Sequence, residues 1–375
     1  MRASKRFTSL AAVVALGLLA AACGSDAKSA TTNAPASTPA AGATTPGTDA
    51  TATTPGGTQP TSSSAATPGT SNLTAGVAFD TGGRGDGTFN DSAGRGLDQA
   101  VSELGVKKIE LEATKDEDRK TNLELLVQQK ANPIIGVGFL FGDPMLALAT
   151  ANPNTTFAIV DSVVDAPNVR SLVFAENEGS FLVGAAAALK SKTGHIGFIG
   201  GQEIDLIKKF EAGYIAGAKA VNPAIKVDSK YLGPAGDNSA WGNVAGAKEI
   251  AKGWYDAGAD VIYTAAGGSG AGTIQAAVEA NAWAIGVDSD QYLIAKPDEQ
   301  KHILTSMLKH VDVAVFQTIK AVADGDTKGG IITFDLKSDG VGYATSGGFL
   351  DDIKSKLDAY KADIISGKIV VPTKP

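Results

Sequence analysis

From Leu73 onward the chain repeats one pattern: a short run of β-branched and apolar residues, a loop of Gly, Asp or Ser, then helical periodicity. Residues 73–79 read as the first strand and 92–104 as its helix. Residues 133–137 and 156–160 read as further strands with a helix between them. An Ala-rich helix over 180–191 is followed by a strand at 195–199 and a helix at 204–220. Residues 259–263 lead through a Gly-rich loop to a helix over 273–281, and 284–287 form another strand. Strands that alternate with helices predict parallel sheets covered on both faces, because a parallel neighbour can only be reached by a crossover. So many units within roughly 300 residues fit two doubly wound α/β lobes better than one large sheet. A closed eightfold barrel is the rival, and periodicity leaves it open.

The first 72 residues are of another kind. Arg2, Lys5 and Arg6 make a basic start, and 7–22 is an uncharged apolar run. It is short for a bilayer span but suits the apolar part of a signal peptide over 1–22. Cys23, the sole cysteine, follows directly after Leu19-Ala20-Ala21-Ala22. This resembles a bacterial lipobox, with Ala20 where Leu is usual. The resemblance implies that Cys23 becomes a lipidated N-terminus, with palmitate-type acylation, holding the protein on the extracytoplasmic face of the cell membrane. Residues 24–72 contain no Val, Leu, Ile, Met or aromatic residue. Such a segment cannot bury enough apolar surface to offset its ordering entropy, so 23–72 is expected to be a lipidated Cys and a disordered tether.

Composition removes several function classes. A lone cysteine leaves no internal disulfide and no thiolate metal site. His195, His302 and His310 show no ligand spacing, no Ser-His-Asp constellation is readable, and no metal or cofactor is expected. A net charge of -7 argues against a nucleic-acid partner. The glycines at 82–87 and 267–272 contain neither a G-x-G-x-x-G nor a Walker motif, so a phosphate or dinucleotide site is weakly supported.

In either architecture the chemistry belongs at the carboxyl ends of the strands. The first strand runs into Asp80-Thr81-Gly82-Gly83-Arg84-Gly85-Asp86-Gly87-Thr88-Phe89-Asn90. Others end in Asp161, in Ala265-Ala266-Gly267-Gly268-Ser269-Gly270 and in Asp288-Ser289-Asp290. Any single Asp here is explained as a helix cap or turn residue. Its recurrence on separated segments points to polar groups converging on one site.

These segments resemble the basic membrane protein family of bacterial lipoproteins, similar to the purine nucleoside receptor A proteins. Asp80, Gly82, Asp86, Phe89 and Asn90 match the family's first loop, with Gly85 and Thr88 as departures. Gly136-Val137-Gly138-Phe139 with Asp143, Phe157-Ala158-Ile159-Val160-Asp161, Gly267-Gly268-Ser269-Gly270 and Gly286-Val287-Asp288-Ser289-Asp290-Gln291 also match. The resemblance implies a type I periplasmic binding protein fold, two Rossmann-like lobes joined by a hinge, with crossovers near Glu178, Ser306 and Asp324. The N-terminal lobe would be 73–178 plus about 309–328, and the C-terminal lobe 179–308 plus about 329–375. It further implies an ABC-transporter permease as partner and a receptor, not an enzyme. The implied ligand contacts are Asp80, Asp86, Phe89, Asn90, Asp143, Asp161, Trp241, Gly267, Asp288 and Lys309.

These residue types suit a purine nucleoside. Aromatics such as Phe89 and Trp241 can sandwich a flat base. Asp288 can accept from a ribose diol, Asp143 or Asp161 from a base amino or imino group, and Lys309 can donate to a ribose oxygen. An acid-rich cleft should reject a phosphate. The alternatives are a receptor for a sugar or another small polar solute, and a nucleoside hydrolase. The hydrolase would open on closely spaced calcium-binding aspartates, for which Asp80, Asp86 and Asp288-Ser289-Asp290 are too little.

Overall fold

The structure, a computed structural model, describes residues 72–375. The expected signal peptide, Cys23 and the expected tether up to residue 71 lie outside the described residues. The first sheet is laid down by β1 (Thr74–Phe79), α1 (Phe89–Leu104), β2 (Lys107–Glu112), α2 (Asp118–Gln128), β3 (Ile134–Val137), α3 (Gly142–Ala151), β4 (Phe157–Val160) and β5 (Val169–Phe174). The chain then crosses to α4 (Glu176–Lys190), β6 (His195–Gln202), α5 (Asp205–Val221), β7 (Lys226–Gly233), α6 (Val244–Asp256), β8 (Val261–Ala265), α7 (Gly270–Ala280), β9 (Trp283–Asp288), α8 (Pro297–Gln300) and β10 (Ile303–Lys309). It returns with α9 (Val311–Ala323) and β11 (Gly330–Phe334), and ends in β12 (Val341–Tyr343) and α10 (Lys354–Ile365).

The strand orders are β11-β5-β4-β3-β1-β2 and β12-β10-β9-β8-β6-β7. Only β12 runs antiparallel, against β10. Two open six-stranded sheets exclude the closed barrel. The inner strands are buried on both faces, as a sheet covered by helices on both sides requires; β3 and β4 are buried throughout.

One boundary differs from expectation. The last crossover falls at 335–340, not near Asp324, because β11 pairs in parallel with β5 from Gly330↔Arg170 to Phe334↔Phe174. Residues 330–334 therefore belong to the first lobe. Phe334 stacks on Phe174 at 5.1 Å, and the Arg170 guanidinium binds Asp326 at 2.7 Å, which ties the α9–β11 connection to that sheet.

Helix packing is set by glycines where two backbones touch. A Cβ at Gly217 would collide with the Phe181 carbonyl, one at Gly213 with the Asn177 carbonyl, and one at Gly184 with the Tyr214 carbonyl. Helices α4 and α5 therefore lie backbone to backbone. Gly96 does the same for α1 against α9 at Asp312. These contacts hold the strand ends of each lobe in fixed relation to their helices.

Candidate functional site

The carboxyl ends of both sheets face one cavity of about 270 Å³. That is near the lower end of small-molecule sites, roughly 300–1,000 Å³. Asp80, Asp86, Phe89, Asn90, Asp161, Trp241, Gly267, Asp288 and Lys309 all line it. Asp143 does not. It is exposed in the first turn of α3. After β3 the chain turns at Gly138, which has a φ of 123°. It then makes a short 3-10 turn, Phe139–Phe141, which presents Phe139 to the cavity and carries the chain away from it before Asp143.

In the first loop Asp86 organises the start of α1. Its Oδ1 accepts from the backbone N–H of Thr88 (2.9 Å) and Asp91 (3.1 Å), and its Oδ2 from that of Asn90 (2.8 Å). This satisfies donors at the helix N-terminus that have no intrahelical acceptor. Asp86 thus sets the position of Phe89 and Asn90. Asp80 Oδ1 accepts from the Thr81 N–H (2.6 Å) and from Nε of the buried Arg119 (2.8 Å).

Two aspartates directly after strands adopt left-handed backbone: Asp161 after β4 (φ 69°) and Asp288 closing β9 (φ 64°). Such conformations cost free energy outside glycine and concentrate at functional sites. In each, Oδ1 is buried and has no hydrogen-bond partner among the described residues. Against Asp161 stands Lys309, at the end of β10. Its ammonium donates to Asp161 Oδ2 at 2.6 Å and lies 3.7 Å from Glu176 Oε1. It also sits over the rings of Phe89 and Phe174, 5.1 Å from each centroid, and 5.7 Å from that of Phe210. Glu176, the first residue of α4, takes a second ion pair from Lys209 at 3.1 Å.

Burial by itself would lower the Lys309 pKa, but Asp161, Glu176 and Asp288 outweigh it and the net shift is upward. The same burial raises Glu176 above the usual carboxylate range, against the pull of Lys309. Asp288 is pushed up to about 7 by desolvation, opposed by Lys309 and reinforced by the neighbouring carboxylates Asp161, Asp86 and Glu176.

Several further residues line the cavity without a signal in the local sequence. Phe139 ends the segment Gly136-Val137-Gly138-Phe139, where nothing in the sequence marks it as a contact. Its ring meets the edge of Trp241 at 6.3 Å across the cleft. Leu206, Ile207 and Phe210, in the first turns of α5, line the cavity too. Their helical spacing is that of ordinary core positions, so only the placement of α5 reveals them.

Two α/β lobes, three chain crossovers and a cleft at the strand carboxyl ends define the class: a bilobal solute-binding protein. A crystallised solute-binding protein of an ABC transporter system from Aeropyrum pernix superposes with a TM-score of 0.68 at 28% identity, covering 80% of this chain and 94% of that one. The chain belongs to the Bmp family, ABC transporter substrate-binding protein PnrA-like, whose model matches residues 73–374. Among its relatives, the ABC transporter nucleoside-binding protein BmpA of Lactococcus lactis subsp. cremoris is 38% identical over 321 residues, 80% of this chain and 90% of the relative. An uncharacterized lipoprotein of Pyrococcus abyssi is 36% identical over 283 residues, 71% of this chain and 68% of the relative.

Proposed function

We propose that this protein captures a purine nucleoside between its lobes, passes it to an ABC permease and is held at the membrane by lipid on Cys23. The observation that carries the reading is the chemistry of the cavity. Aromatic rings enter from both lobes, and a buried carboxylate oxygen of Asp288 stands without a partner beside an ammonium already neutralised by Asp161 and Glu176. Such a site offers acceptors for hydroxyl and amino donors and no unmatched cation for a phosphate. A flat base with a neutral sugar meets these demands. The Lactococcus relative named for nucleoside binding supports the same ligand class.

The test is thermal unfolding with nucleosides, free bases, nucleotides and sugars. A purine nucleoside at a hundredfold its Kd should stabilise the protein by about 2.7 kcal/mol. Its monophosphate should not, and equal stabilisation by the monophosphate would overturn the electrostatic argument. As a receptor rather than a hydrolase, the protein should return inosine intact after incubation.

The anchor is tested separately. Cys23→Ser should move the protein from the membrane fraction to the medium, since the diacyl anchor needed for stable retention is built on that thiol. Unchanged membrane retention would show that something else holds it.

A further inference from the structure

We propose that Asp116 and Asn238 form a latch across the mouth of the cleft, with Arg119 and Gln202 as the residues that position it and retention of the ligand as its effect. Asn238 Nδ2, on the second lobe, donates to Asp116 Oδ1, on the first, at 2.9 Å. A lone exposed hydrogen bond of this kind is ordinarily worth little, because two mobile side chains must be ordered to make it. Here both partners are already held. Nη1 of the buried Arg119 binds Asp116 Oδ1 at 2.7 Å, and Nε2 of the buried Gln202 donates to Asn238 Oδ1 at 2.8 Å. Gln202 is itself fixed by the Gly236 N–H at 2.9 Å. The ordering entropy is thus spent within each lobe before the lobes meet.

Both arms of the latch start in the cavity. On the first lobe, the Arg119 that holds Asp116 also binds Asp80, a cavity residue. On the second, Asn238 opens the 3-10 helix Asn238–Trp241, whose last residue lines the cavity. That helix cannot drift. Ser269 Oγ donates to the Ala240 carbonyl at 2.8 Å in a buried position, and the Trp241 ring lies so close over Gly201 that no Cβ would fit there. A ligand that touches Asp80 and Trp241 therefore touches the rigid supports of both sides of the latch. The Arg119 guanidinium, followed by Asn238, holds the Asp116 carboxyl below its usual range, so the acceptor is ionised at neutral pH.

The inference rests on the nucleoside reading only for its probe, inosine. Stopped-flow binding of inosine to the full chain should show a dissociation rate roughly three- to tenfold faster for Asn238→Ala, the range for one net hydrogen bond, with the association rate within about twofold of wild type. Asn238→Asp sets two carboxylates against each other and should release inosine faster still. The exchanged pair Asp116→Asn with Asn238→Asp restores a donor to an acceptor and should be slower to release than Asn238→Asp alone. An unchanged dissociation rate in Asn238→Ala, or an exchanged pair no better than Asn238→Asp, overturns the latch. If wild type does not bind inosine, the nucleoside reading fails by itself. The latch is then judged by small-angle scattering of the ligand-free proteins, where Asn238→Ala should have the larger radius of gyration and an identical one refutes it.

Discussion

Lys309→Met should destabilise the protein by about 3–5 kcal/mol, the cost of leaving buried charge without its partner. The Lys309 ammonium stands 2.6 Å from Asp161 and 3.7 Å from Glu176, and all three side chains are almost wholly buried. Removing the cation leaves Asp161, Glu176 and Asp288 in low dielectric, with Lys209 reaching only Glu176. The loss should depend on pH in a definite direction. Without Lys309, which pulls both down, Glu176 and Asp288 have folded pKa values further above their unfolded values near 4. Groups raised in the folded state stabilise it at low pH and lose that contribution as pH rises through the folded value. The stability gap between wild type and Lys309→Met should therefore be small near pH 5 and widen toward pH 8. Chemical denaturation of both proteins across that range measures it. A gap independent of pH would mean that the lysine acts through its packing against Phe89, Phe174 and Phe210 instead.

Asp288→Ala should weaken nucleoside binding roughly thirtyfold to a few hundredfold while leaving the fold as stable or more stable. The affinity loss follows from removing a charge-assisted acceptor pair worth about 2–3 kcal/mol. The stability gain follows from the raised pKa. Asp288 sits at about 7 in the fold against an ordinary value of 3.8, so burying it costs progressively more as pH rises between those values. Alanine removes that cost. If the ionised form accepts from a ribose diol, wild-type affinity should also fall as pH is lowered below about 7, and the variant's should not. A 2′,3′-dideoxynucleoside has no diol, so it should bind both proteins with nearly equal affinity. Titrating both ligands into both proteins closes a cycle that isolates the contact. Equal weakening of the two ligands would make Asp288 a structural residue of the β9 turn.

How much of this was legible in advance can be read from particular elements. Strands β1, β3, β4, β6, β8 and β9 carry short apolar runs because a parallel strand covered on both faces must be apolar throughout. Their alternation with helices therefore showed up as a pattern. The edge strands β2, with the sequence KKIELE, and β7, with KVDSKYLG, did not. Each has one covered flank and carries Lys, Glu or Asp, so hydropathy does not separate them from loops. The lobe that takes β11 was likewise not legible: the resemblance implies the C-terminal lobe for 329–375, and only pairing with β5 and the Phe334–Phe174 stack put 330–334 in the first.

The sequence by itself determined that parallel α/β lobes would form and that acidic and aromatic residues would gather at the strand ends, because strand polarity and crossover connection force those ends to one side. Only the tertiary structure decided what those residues do there. It turned Asp143 out to solvent, committed Asp86 to the start of α1, and set Lys309 between Asp161 and Glu176. It also brought Phe139, Phe210 and the Asp116–Asn238 pair to the cleft from segments whose local patterns are those of core and surface. The reason is physical. Periodicity reports which face of an element is buried, whereas a site is made by distances between elements far apart in the chain, and those follow from how the two sheets and their helices pack.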